Sequence, residues 1–329
     1  RGVFFTVELS WSEEVEVTGK PKESRLVIIC GPTASGKSTL ALEAARLMHS
    51  EVICADSRTL YRGMDIGTAK PAVTPHGDNV SLDQFVLVEG VPHYLLDCLD
   101  PDESFSAADF QKQAAAIISH LHERGIVPIV AGGTGLYIKA LVDGYVMPPG
   151  GYDQALRQKL EVKPLTELVQ LLGRSDPAAL TRIDLRNKRR VVRALEICLL
   201  TGQPVSQQRQ AAGSSWDILQ IGVEVPREEL YRRIDERVDA MIANGLLIEV
   251  TRLAEKYSWD LPALSGIGYK QCRTYLRGEI SLPEAISMIK RDTRHYAKRQ
   301  LTWFRRDERI FWLPPDQVVA NILRWLGGS

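Results

Sequence analysis

Apolar positions along this chain gather into short unbroken runs, each of which gives way to a polar or glycine-rich turn and then to helical spacing. Arg25 to Cys30 (RLVIIC) is such a run, and the Ala/Leu pattern up to Leu47 places a helix after it. A continuous apolar run of this length predicts a strand buried on both faces. EVICA (51–55) predicts a second strand, ending at Asp56-Ser57. GIVPIVAGGTGLYIKAL (125–141) predicts strand, Gly-Gly-Thr-Gly turn and helix in succession, LQIGVEV (219–225) a further strand, and ERIFWLP (308–314) a last one. Phe105 to Gly125 reads as a helix opened by the cap Ser106 and closed by Gly125, and Pro226 to Leu253 as a long helical stretch with Pro at its first position and a break near Asn244-Gly245. From Met147 a Pro/Gly linker leads into helical sequence to about Leu200 with no convincing strand.

Between the first strand and its helix stands GPTASGKS, so that Gly31, Gly36, Lys37 and Ser38 fill the fixed positions of G-x-x-x-x-G-K-[ST]. Backbone N–H groups at a helix N-terminus can surround a phosphate there while Lys37 adds a point charge, and Ser38 is placed to hold Mg²⁺. The predicted fold is therefore α/β: a P-loop NTPase-like parallel sheet flanked by helices, with an inserted helical subdomain. Residues 1–24 form an N-terminal extension, 25–146 and 219–329 the catalytic core with a helical C-terminal segment, and 147–218 the insertion. Ligands of open α/β sheets bind beyond the carboxyl ends of the strands, so Asp56, Thr134 and the phosphate loop should converge on one crevice. By position alone Asp56 also suits a turn or N-cap carboxylate, and Thr134 a helix N-cap.

Composition narrows the class without naming a ligand. The 329 residues leave room for one large domain and a smaller one. No apolar run approaches the roughly 18 residues that span a bilayer, and the first 24 residues carry no signal-peptide pattern, so a cytoplasmic protein is expected. Five cysteines without a C-x-x-C pair suit buried thiols in a reducing compartment rather than disulfides or zinc. Nothing predicts an obligate interface, and a monomer is expected.

The 41 basic and 41 acidic residues cancel, but they are unevenly placed. Lys290 to Arg309 holds eight basic residues against three acidic ones, with Tyr296, Trp303 and Phe304 interleaved. A second cluster contains Arg186, Lys188, Arg189, Arg190 and Arg193. A basic run is commonly a solvated helix face, yet cations alternating with stacking-capable rings suit a polyanion such as nucleic acid.

Taken in order, GPTASGKS, ADSRTLYRGMDIGTAKP (55–71), GVPHYLLD (90–97), AGGTGLYIKAL (131–141), RALE (193–196), SGIGYKQ (265–271) and YAKRQLTWFRRD (296–307) resemble the tRNA dimethylallyltransferase family over roughly Arg25 to Leu313. The resemblance implies transfer of the dimethylallyl group of dimethylallyl diphosphate to N6 of the adenosine at position 37 of tRNAs reading codons that begin with U. It implies Mg²⁺ as cofactor and the anticodon stem-loop of tRNA as partner, with no membrane. Asp56, Thr134 and Lys37 would be catalytic, Asp56 as general base. Gly31, Pro32, Thr33, Ala34, Ser35, Gly36, Lys37, Ser38 and Thr39 would hold the diphosphate together with Arg233, for which Arg237 is the fallback. Asp56, Ser57, Arg58, Thr59, Thr134, Arg157, Arg189, Arg190, Arg193, Gly268, Tyr269, Lys270, Lys298, Arg299, Gln300, Trp303 and Arg305 would lie on the tRNA, and the helical insertion would grip the anticodon stem. Arg233 read without the resemblance also suits a helix-surface ion pair.

Three rivals remain at this stage. An adenylate isopentenyltransferase acting on AMP, ADP or ATP shares the fold, but that branch tends to show Asp-Lys where this chain has Asp56-Ser57. A small-molecule P-loop kinase or a non-catalytic RNA-binding module would account for only part of the motifs.

Overall fold

The computed structural model describes residues 24–76, 84–144, 153–208 and 213–327. The N-terminal extension before residue 24 and the linker that begins at Met147 lie outside the described residues.

An eight-stranded sheet forms the centre. In chain order its strands are β1 (Arg25–Cys30), β2 (Val52–Cys54), β3 (Thr74–His76), β4 (Phe85–Val88), β5 (Val91–Tyr94), β6 (Ile129–Gly132), β7 (Asp217–Val223) and β8 (Ile310–Leu313), arranged in space as β3-β4-β5-β2-β6-β1-β7-β8. The six strands from β5 to β8 in that arrangement pair in parallel, and five of them, all but β5, are the apolar runs predicted as strands. The edge departs from the expectation: β4 pairs antiparallel with both β5 and β3. Its turn is Glu89-Gly90, with φ of 47° and 85°. Two successive positive φ angles make the primed turn whose twist matches a tight hairpin.

Alternate residues of β1 serve opposite faces. Leu26, Ile28 and Cys30 join one core cluster, while Val27 and Ile29 join another. The second face is covered by α1 (Lys37–Met48) and α13 (Pro315–Leu326). The first is covered by α2 (Ala107–Glu123) and α3 (Gly135–Asp143), and by residues of α9 (Arg227–Ala243), α10 (Leu246–Lys256), α11 (Tyr269–Leu276) and α12 (Leu282–Phe304). Burial on both faces is why the central strands read as unbroken apolar runs.

Local chemistry sets the helix ends. Ser106 and Asp109 form a capping box at the start of α2, and Gly125 follows it with φ of 72°. Pro226 stands one place earlier than expected, as the cap before Arg227, because its φ and ψ of −52° and 140° are not helical. The predicted break falls between α9 and α10 at Gly245, whose φ is 95°.

The insertion carries helices over its described residues 153–208, α4 (Gln154–Glu161), α5 (Leu165–Ser175), α6 (Ala179–Arg182), α7 (Lys188–Thr201) and α8 (Val205–Gln208), and its last residues run into β7. It buries its own cluster, Leu168, Leu172, Val191, Val192 and Leu195 among its members. All five cysteines are free. No helix among the described residues is long and apolar enough to cross a membrane.

Candidate active site

The phosphate loop leaves β1 and enters α1 as its spacing requires. Gly36 caps α1 with φ of 90°, a conformation that side chains disfavour. The helix opens with no side-chain cap and no acidic residue in its first turn. Its first N–H groups have no intrahelical acceptor, so they present donors and the positive end of the helix to an anion. Pro32, Ala34 and Ser35 are buried, Thr33 half-buried, and Ser38 and Thr39 exposed. Lys37 is buried, and its Nζ donates to the Pro32 carbonyl at 3.1 Å. Burial pulls its pKa down to about 8; the Asp56 carboxylate opposes that fall, and the Arg237 guanidinium adds to it.

Asp56 follows β2, and Thr134 follows β6, the strand lying between β2 and β1. Close approach of these two strands brings the residues together. A Cβ built on Gly132 would stand 2.0 Å from the Ala55 carbonyl oxygen, a distance only glycine permits. Beyond that contact the Thr134 amide donates to the same Ala55 carbonyl at 3.1 Å, and the Ser57 amide donates to Thr134 Oγ1 at 3.0 Å. Thr134 occupies the N-cap place of α3, but its hydroxyl caps nothing there and serves Ser57 instead. One Asp56 oxygen, Oδ1, accepts the Arg58 amide at 2.9 Å. Among the described residues the other makes no hydrogen bond. Burial pushes the phenols of Tyr137 and Tyr296 up, helped by Tyr61 and then the Asp56 carboxylate for the first and by Asp56 for the second, so both flank the carboxylate as neutral groups.

Gln300, far along the chain on α12, closes the arrangement. Its Oε1 accepts the Thr33 amide at 2.9 Å, and its Nε2 donates to the Gly133 carbonyl at 2.8 Å. One buried carboxamide therefore locks the phosphate loop to the Gly-Gly-Thr-Gly turn.

Comparison with known proteins gives this crevice a lineage. The IPP transferase family model matches residues 59–307. The tRNA dimethylallyltransferase of Moorella thermoacetica is 47% identical over 306 residues, covering 89% of this chain and 91% of that protein. That of Geobacter sulfurreducens is 46% identical over 299 residues, covering 88% and 92%. The chain belongs to the tRNA dimethylallyltransferase family. Among solved structures, the tRNA isopentenylpyrophosphate transferase of Bacillus halodurans superposes with a TM-score of 0.66 at 39% identity, over 92% of this chain and 96% of that one. A eukaryotic dimethylallyltransferase described as acting on tRNA gives a TM-score of 0.75 at 28% identity, over 89% and 74%.

The residues that the family resemblance puts on the tRNA fall into two groups. Arg189, Arg190, Lys270, Lys298, Arg299 and Arg305 are exposed, and Trp303 is partly so, packed against Gly135 at the mouth of the crevice. Arg299 lies over the Tyr296 ring and Arg305 over Trp312. Ser57 and Thr59 are half-buried beside Asp56. The others are held by the protein itself. Gln300 is committed as described. Gly268 and Tyr269 are buried, and the Tyr269 hydroxyl donates to Glu249 Oε1 at 2.7 Å. Arg58 reaches away from the crevice to the carbonyls of Pro262 and Ala263 at 2.8 and 3.0 Å. Arg157 and Arg193 both bond Glu196, a fully buried carboxylate inside the insertion.

Arg233 pairs with Glu229 one turn earlier on α9, whereas Arg237, the fallback, is the guanidinium that reaches the loop, at 3.5 Å from Thr33 Oγ1. The two are four residues apart, and sequence spacing does not say which sits nearer the loop. Glu249 was not singled out by any motif, because a lone glutamate in a helix ordinarily reads as a solvated one.

Proposed function

We propose that the chain transfers the dimethylallyl group of dimethylallyl diphosphate to N6 of adenosine 37 in tRNAs reading codons that begin with U, releasing diphosphate. The observation that carries this is the meeting of Asp56 and Thr134 with an anion-binding loop, in a chain of this family. The bond from the N6 nitrogen to the allylic carbon forms as the carbon–oxygen bond to diphosphate breaks. The electron pair leaves with the diphosphate, and the N6 proton goes to Asp56.

Each residue has a task in that exchange. The first N–H groups of α1 and the Lys37 ammonium meet charge that grows on the departing diphosphate, so they stabilise the transition state more than the ground state. Arg237, whose guanidinium stands 3.5 Å from Thr33 Oγ1, adds a second cation. The Asp56 oxygen that makes no bond among the described residues is the one available to take a proton, while the Arg58 amide fixes the carboxylate by its other oxygen. Thr134 and Ser57 orient the amine.

Mg²⁺ fits the donors present. Ser38 offers an exposed hydroxyl at the start of α1, and no three His, Cys, Asp or Glu side chains converge into a metal site among the described residues. Mg²⁺ usually keeps several waters and binds substrate phosphates with few protein ligands, so Ser38 would be the protein oxygen that this loop offers it. When bound it would supply charge neutralisation on the leaving diphosphate. The exposed Arg189, Arg190, Lys298 and Arg299 suit the phosphates of an anticodon stem-loop, and the reading places the reaction in the cytoplasm, where tRNA and the donor meet.

The test is transfer of radiolabelled dimethylallyl to an unmodified anticodon stem-loop with adenosines at positions 36 to 38, beside AMP and ATP as acceptors. Label is expected in the RNA, and Asp56→Ala should lower kcat by about 10²–10⁴-fold, the usual contribution of a positioned base, in a protein that still folds. Label in the mononucleotides alone would make the chain an adenylate isopentenyltransferase.

A further inference from the structure

Outside the crevice, Glu249 is a buried carboxylate whose bonds reach across several elements. It lies on α10, 4% exposed, and accepts four hydrogen bonds. Its Oε2 takes the backbone amides of Asp65 and Ile66 at 2.9 and 2.7 Å, and its Oε1 takes the Gly67 amide at 3.0 Å and the Tyr269 hydroxyl at 2.7 Å. Three successive amides converging on one anion form a nest, with the side chain of another helix in the place of a ligand. Burial, with Glu249 itself next, pushes the Tyr269 phenol up, so it stays a donor.

The nest belongs to one wall of a cleft of about 590 Å³. Asp65, Ile66, Ala69 and Lys70 line that wall, and Arg237 and Met241 of α9 line the other. The wall is stiff in itself. Lys70 Nζ bonds Asp65 Oδ1, Asp97 Oδ1 and the Tyr61 carbonyl, at 2.7, 2.5 and 2.6 Å. Its spacing from α9 is another matter. Glu249 reaches this wall from α10, which is joined to α9 by the turn at Asn244-Gly245, so one carboxylate ties the wall to the same hairpin that carries Arg237. Through Tyr269 it also ties in the Gly-Ile-Gly turn before α11. Gly67 admits the Tyr269 ring, since a Cβ there would stand 2.6 Å from three of its side-chain atoms.

We infer that Glu249 is a positioning residue for the prenyl donor: by clamping Asp65–Gly67 and Tyr269 to the α9–α10 hairpin, it sets the place of Arg237 against the phosphate loop. This rests on the transfer reading above. Glu249 touches no reacting atom. Its loss loosens the cleft and the guanidinium beside Thr33, while Asp56, Thr134 and Lys37 keep their own bonds.

Glu249→Gln retains the shape but turns a carboxylate oxygen into an amide NH₂ that faces donors. The measurements are steady-state kinetics with donor and RNA varied separately, calorimetric titration of the full chain with dimethylallyl diphosphate and no acceptor, and a thermal melt. Donor KM and donor Kd are expected to rise by about tenfold or more, as for a hydrogen bond lost to a charged group. RNA Kd should stay within twofold, and kcat at saturating donor within threefold. Tyr269→Phe, which leaves the three amide bonds intact, should move donor KM in the same direction by less, and the double variant should match Glu249→Gln alone.

Folded Glu249→Gln with wild-type donor affinity would overturn the inference. So would a fall in kcat with both KM values unchanged, the mark of a smaller active fraction. If Glu249→Gln does not fold, Tyr269→Phe decides in its place, and an unchanged donor KM overturns the inference. A wild-type chain that binds the donor but prenylates no RNA would sink the acceptor reading and leave this one standing. A wild-type chain that does not bind the donor would sink both.

Discussion

Lys37 makes donor capture sensitive to pH. Its burial holds the pKa at about 8, so in the free protein the ammonium is present below that pH and lost above it. Donor capture needs the cation, and kcat/KM reports ionisations of the free enzyme. The kcat/KM for dimethylallyl diphosphate should therefore decline as pH rises through about 8, approaching tenfold per unit once the group is neutral. A pH profile of Lys37→Arg checks this: the guanidinium stays charged, so the decline should vanish even if the absolute rate is lower. The two arginines of α9 separate in the same way. Arg237→Ala removes the cation beside Thr33 and should raise donor KM by about tenfold or more, as for a hydrogen bond to a charged group. Arg233→Ala breaks only the half-exposed pair with Glu229, and donor KM should stay within about threefold of wild type.

At the scale of elements, the approach of β2 to β6 decides whether Asp56 and Thr134 can share a crevice. A methyl group on Gly132 would collide with the Ala55 carbonyl, and backbone cannot swing away as a side chain can. Gly132→Ala should cost about 1–3 kcal/mol of stability as an overpacked core position does, and it should depress kcat even in the folded protein. Denaturant melts and single-turnover transfer measure the two effects. The central strands were legible as apolar runs because a parallel strand buried on both faces has no polar side to interrupt it. Strands β3, β4 and β5, the antiparallel side of the sheet, were not, being short, alternating rather than unbroken in burial along β4, and carrying Pro75 and Pro92. The Glu89-Gly90 turn was the available signal, and it carries weight only once the flanking residues are known to pair.

The whole molecule is a neutral chain with cations gathered on part of its surface, so its hold on RNA should depend on salt. Arg189 and Arg190, exposed at the start of α7 in the insertion, are free of the Glu196 pairing that occupies Arg157 and Arg193. Replacing both by Ala should weaken RNA binding and lower the slope of log affinity against log salt by about one to two. Donor KM should not change. Filter binding at several salt concentrations reads the slope, and an unaltered slope would leave RNA binding to the C-terminal basic segment. The insertion can be judged in this way because it buries a core of its own, so surface changes on α7 need not reach the crevice.

Five of the eight strands, the phosphate loop, the Gly-Gly-Thr-Gly turn and the candidacy of Asp56 and Thr134 followed from sequence alone, because each is written in residues that are neighbours or one period apart. Which polar groups are spent inside the fold did not follow. Gln300 meets Thr33 across 267 positions, Arg237 meets Thr33 across 204, and Glu249 meets Asp65 across 184. Contacts at such separations leave no local period to read. Packing of α9 to α12 against the sheet turned Gln300 and Tyr269 from surface candidates into internal struts, and it put Arg237 rather than Arg233 beside the loop.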